Sequence, residues 1–140
     1  MNHLVGEAGK SRIIAFVIDN LFASLLAILG VGAIGSETPL IGISALAFGY
    51  LFYFFLFEAL WSRTPGKFLQ GLVVRKLDGS PTDVRATLIR TVARILETNP
   101  ILLGGIPAGI AIISSAQKQR LGDMLAGTVV VSKNVVAKRL

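Results

Sequence analysis

The chain has 140 residues, 53% of them hydrophobic, a mean hydropathy of +0.70 and a formal net charge of +6. That is too apolar for a soluble domain of this size and fits a single integral membrane domain. There is no Cys, and the only His is His3, which leaves no disulfide, thiolate nucleophile or Cys/His metal cluster to consider.

Three segments are free of Lys, Arg, Asp and Glu for long enough to matter: Ile13 to Ser36 apart from Asp19, Thr38 to Phe57, and Thr98 to Gln117. About 20 apolar residues of helix cross a hydrocarbon core. The expected architecture is an all-α membrane protein, a small transmembrane helical bundle with an interfacial amphipathic helix and a short cytoplasmic two-stranded β element. The first helix, 11–35, starts at Ser11 as a side-chain cap. Lys10 and Arg12 before an apolar run resemble a secretory signal, but Asp19-Asn20 interrupts the run, so an uncleaved segment is expected.

Helix 40–61 is crowded with aromatics that pack in lipid and core. A cytoplasmic loop and strand fill 62–80. The turn Thr64-Pro65-Gly66-Lys67 lacks the first Gly and the Ser/Thr of a phosphate loop, so it does not bind nucleotide. Leu72-Val73-Val74 reads as a strand ended by an Asp78-Gly79 turn, and Thr128 to Val131 as a second strand able to pair with it. Ser80-Pro81-Thr82-Asp83 predicts a capped start for an amphipathic helix over 81–98. Its Arg90, Arg94 and Glu97 share one face, which either lies at the headgroups or turns inward to buried acids.

The segment 99–116 is expected to be an apolar helix or a re-entrant element. Gly105 and Gly109 have the spacing of close helix packing, and Pro107 breaks the hydrogen-bond ladder. Lys and Arg cluster before the first segment, between the second and third, and after the third, whereas the 36–39 connection carries only Glu37. This places both termini in the cytoplasm of a bacterial-type cytoplasmic membrane and calls for an even number of crossings. The residues 117–140 form a C-terminal motif, strand and tail. The basic balance is accounted for by topology, so no nucleic-acid partner is expected.

Asp19 is the residue that most needs a reason, since an acid deep in a spanning helix costs about 3 kcal/mol. Arg12 lies two turns away, about 10 Å of rise, and helical side chains lean toward the N-terminus. A direct Arg12–Asp19 bond is therefore not expected; Arg12 snorkels, and Asp19 takes Arg94, Arg90 or Arg120 as partner.

Arg12, Asp19, the turn 64–67 and the run Gln119-Arg120-Leu121-Gly122-Asp123-Met124-Leu125-Ala126-Gly127-Thr128 resemble the RDD family of small membrane proteins, from about Ser11 to Val131. The family's one Arg and two Asp map to Arg12, Asp19 and Asp123. Gly122 departs from the pattern, since many members carry a His there. The resemblance implies transport of unidentified ligands, with cation/proton antiport proposed for some members.

Two functions follow. In the first, Arg12, Asp19, Arg94 and Asp123 form buried charge pairs that fix helix packing, and the protein is a structural or accessory subunit of a membrane assembly. In the alternative, Asp19 alternately holds a monovalent cation and a proton, Asn20 supplies a neutral oxygen, and Asp123 is an entry acid in a homo-oligomer. An enzyme is not expected. Asp19 and Asp123 alone make no strong metal site, Glu58 reads as interfacial, and Asp78 and Asp83 have turn and cap roles. No cofactor is expected; the expected partners are the lipid bilayer, further copies of the chain or other subunits of a membrane complex, and in the alternative a monovalent cation or proton.

Overall fold

The computed structural model describes residues 4–6, 9–35, 37–97 and 105–139. Among the described residues nine elements follow in order: α1 (Lys10–Ile34), α2 (Pro39–Trp61), α3 (Pro65–Leu69), β1 (Leu72–Lys76), α4 (Val84–Glu97), α5 (Ile106–Ser114), α6 (Leu121–Ala126), β2 (Thr128–Ser132) and α7 (Lys133–Arg139). At 1.5 Å per residue, α1 and α2 are about 37 and 34 Å long, enough for a hydrocarbon core of about 30 Å. They pair as a hairpin, and their most apolar stretches are only 22% and 17% buried. The core helix of a soluble protein hides its apolar surface; Leu21, Leu25, Leu29, Ile41 and Phe48 here face outward.

All other elements gather at the open end of the hairpin, where α1 begins and α2 ends. β1 and β2 pair antiparallel, with Val74 opposite Val130. Strand side chains alternate between faces, and both faces are covered. Val73, Val129 and Val131 pack with Leu4 and Val136, while Leu72, Val74 and Val130 pack against Ala15 of α1.

The amphipathic helix is inverted. α4 buries Ala86, Thr87, Arg90, Thr91, Ala93, Arg94 and Glu97 and exposes Val84, Leu88, Val92, Ile95 and Leu96. Val84, Leu88, Val92 and Leu96 recur every four residues and form one stripe. An apolar stripe outward and a charged face inward is the reverse of a helix packed on the core of a water-soluble protein.

Several boundaries differ from the sequence reading. α1 is capped by Gly9 with no side-chain bond, so Ser11 is not the cap. Asp83, not Ser80, caps α4, its Oδ1 accepting from Ala86 N at 2.7 Å; Ser80 instead bonds Asp78, and Pro81 bridges Arg75. Pro107 lies in the first turn of α5, where a missing N–H breaks no helical bond, so it does not interrupt a longer helix. α5 spans about 13 Å, short of a crossing. Thr98 to Gly104, the first part of the expected third segment, fall outside the described residues. A Cβ at Gly105 would meet the Phe16 ring at 2.7 Å, whereas one at Gly109 meets nothing within 4 Å. Only the first glycine of that pair serves close packing.

Candidate functional site

The charged side chains of the open end form two connected groups. Asp19, in the third turn of α1, is 2% exposed and accepts from the Thr64 hydroxyl, from Gly66 N at 2.7 Å and from Tyr53 Oη at 3.2 Å. The turn leading into α3 supplies two of these donors. Pro65 occupies the first helical position and pre-sets its φ, which leaves Gly66 N free of helical bonding and directed at the carboxylate. Gly66 is required for space: a Cβ there would collide with the Ala15 carbonyl and stand 2.8 Å from the Asp19 carboxyl carbon.

Glu58 is the hub that joins α2, α3 and α4. Arg90 grips it with Nε at 2.9 Å and Nη2 at 3.3 Å, Arg94 Nη2 reaches it at 3.0 Å, and Lys67 Nζ at 2.7 Å. The two-point Arg90 contact is the strong, orientation-fixing form of ion pair. Arg94 also lies over the Phe54 ring, 3.7 Å from its centroid, a cation–π contact strengthened by desolvation. Burial pulls the Lys67 ammonium down to about 8, with Glu58 opposing that shift.

Asp123 is fully buried and is the second hub. It pairs with Arg90, with Arg12 at 2.7 Å and with Arg120 at 3.2 Å. Burial by itself would raise the Asp123 carboxyl; Arg90, Arg120 and Arg12 together outweigh it and hold the group well below the usual carboxylate range. Arg12 also donates to the Lys118 carbonyl at 2.9 Å, and Arg90 to the Thr128 hydroxyl at 2.9 Å. Glu97 closes the network through Gly122 N and Arg120, 3.5 Å away. One Arg90 side chain thus links Glu58 of α2, Asp123 of α6 and the start of β2.

The expected residues are therefore present but differently joined. Arg12, Arg90, Arg94 and Arg120 are charge partners of Glu58, Glu97 and Asp123, and none is an ion-pair partner of Asp19, which is held by neutral donors. Arg12 does not snorkel; it ties α1 to α6. Asp19 and Asp123 share no partner among the described residues. Asn20 donates to the Phe16 carbonyl at 2.7 Å and accepts from the Tyr50 hydroxyl, so both halves of its amide are engaged. Glu58 is not interfacial but 1% exposed.

Thr64, Gly66, Lys67, Glu58 and Glu97 were missed as site residues. Glu58 carried a signal, being the only charge between Thr38 and Trp61. Among the described residues no group of three or more His, Cys, Asp or Glu could hold a metal ion.

No curated protein and no solved structure matches the chain significantly. The RDD family model matches residues 9–127, a span that contains both hubs, the 64–67 turn and both candidate spans, and the chain belongs to the RDD family.

Proposed function

We propose that this protein is a structural or accessory subunit of a membrane assembly, in which α1 and α2 cross the bilayer and the charge network locks the remaining elements onto the cytoplasmic end of the hairpin. The observation that carries this reading is the saturation of three of the four buried acids among the described residues. The fourth, Glu97, accepts from Gly122 N through Oε1, while its Oε2 has only Arg120 Nε at 3.5 Å. Asp19 accepts only from hydrogen-bond donors, and Glu58 and Asp123 each accept from three cationic side chains. A cation site needs oxygen atoms turned toward the ion, and these oxygens are turned toward N–H and O–H groups. Removing one member of such a buried set leaves uncompensated charge, at about 3–5 kcal/mol; the network thereby fixes one arrangement of helices.

The basic residues flanking the spans support cytoplasmic termini. A homo-oligomer or a larger complex suits a chain whose two spans expose most of their surface. The test is the level and thermal transition of Asp19→Asn and Asp123→Asn in native membranes, beside chemical crosslinking of the wild type. The reading expects both variants to fall in level and transition temperature, and the wild type to crosslink into a species larger than one chain. Full levels with an unchanged transition, or a wild type that remains a single chain, would contradict it.

A further inference from the structure

The network has an open side. A cavity of about 430 Å³ lies between the first half of α1 and α5. Arg12, Arg94 and Arg120 stand at its polar end, and Ile13, Phe16 and Ile112 are among its apolar walls. Ile13 and Ile113 on its rim are 62% and 74% exposed, so the cavity opens sideways toward the surroundings of the hairpin.

Two observations point to an anion at the polar end. Among the described residues the cavity lining holds five cations, Arg12, Lys67, Arg90, Arg94 and Arg120, and one acid, Asp19. Arg120 is 6% exposed, and its Nη2 is buried with no hydrogen-bond partner among the described residues. A buried guanidinium N–H without an acceptor costs free energy that an anionic oxygen would recover. Asp19 also lines the cavity, but its oxygens already accept from Thr64, Gly66 and Tyr53.

The level of the cavity selects the source of the anion. α1 exceeds the hydrocarbon thickness by about 7 Å, which sets Lys10 to Arg12 at the headgroups and the apolar walls beside the acyl chains. We propose that the cavity binds an anionic phospholipid from the surrounding bilayer, its phosphate on Arg120 and neighbouring arginines and the start of an acyl chain between α1 and α5. This inference rests on the membrane placement of α1 and α2 and goes beyond the subunit role.

Native mass spectrometry of the delipidated, detergent-solubilised protein tests it, with dioleoylphosphatidylglycerol, dioleoylphosphatidylcholine and inorganic phosphate as separate probes. Phosphatidylglycerol is expected to bind about tenfold more tightly than phosphatidylcholine: both present a phosphodiester to Arg120, but the choline ammonium of the second is repelled by the neighbouring arginines and cancels the net charge that they attract. Arg120→Gln is expected to abolish that preference. Because Arg120 also holds Asp123, a second variant decides if the first fails to fold: Gly109→Phe fills the cavity from a position where a Cβ meets no neighbour within 4 Å, and it is expected to lose lipid binding at an unchanged thermal transition. Equal binding of the two lipids, undiminished binding to Gly109→Phe, or saturation by inorganic phosphate alone would each overturn the proposal. All of these readouts use the isolated protein, so they fail or succeed independently of the crosslinking that tests the subunit role.

Discussion

At the scale of single residues, Asp19, Glu58 and Asp123 are each engaged as acceptors. Asp19→Asn replaces one acceptor oxygen by an NH2 group facing Thr64, Gly66 or Tyr53, donors already. Hydrogen bonds to a charged group are worth about 1.5–3 kcal/mol each, so a loss of at least that size is expected in denaturant or thermal unfolding of the purified variant. Gly66→Ala attacks the same contact from the other side, and overpacking of about 1–3 kcal/mol should lower the transition comparably. Asp123 adds a pH dependence. Its folded carboxyl lies below the usual range and its unfolded one near 3.9, so the unfolded chain binds more protons as pH falls through that interval. The stability it contributes is present above about pH 4 and is lost below. Wild type should therefore lose stability more steeply with acid than Asp123→Asn, measured by melting between pH 6 and about pH 3.

At the scale of elements, α4 and α6 are the joint on which the network depends, and Gly122 is its tightest point. A Cβ at Gly122 would lie 2.9 Å from the Ala93 Cβ, while Gly122 N donates to Glu97. Gly122→His is accordingly expected to destabilise this chain, and Ala93→Gly in the same molecule to restore part of the loss; a double variant no better than the single one would show that the clash lies elsewhere. The elements themselves were largely legible in the sequence. Uncharged length marked α1 and α2, β-branched runs marked the strand pair, and a shared face grouped Arg90, Arg94 and Glu97. Which acid each arginine takes was not legible. That depends on how α4 lies between α2 and α6, a long-range packing that local periodicity does not encode; hence Glu58 read as a surface acid, and Asp19 was paired with arginines it does not touch. The cap of α4 was misplaced for a smaller reason, since both Ser80 and Asp83 are good caps and the bridge at Pro81 shifts the start to the second.

At the scale of the whole molecule, the charges are buried between α1, α2, α4 and α6 while α4 and the hairpin turn apolar side chains outward, which is why a chain with so many buried charges keeps an apolar exterior there. The stripe of Val84, Leu88, Val92 and Leu96 faces outward, and the same surface continues onto the hairpin. The natural absence of Cys makes this directly measurable: a fluorophore on Leu88→Cys or Val92→Cys should be quenched by brominated acyl chains, and one on Arg85→Cys much less. The central claim is that these charges hold the fold and do not carry ions. Cation-driven proton flux in proteoliposomes tests it most directly, with Na⁺, K⁺ and Li⁺ gradients and with Asp19→Asn at matched incorporation. The account predicts wild-type flux no greater than that of empty liposomes; flux above that baseline which vanishes in a folded Asp19→Asn protein would contradict it and make Asp19 the transport site.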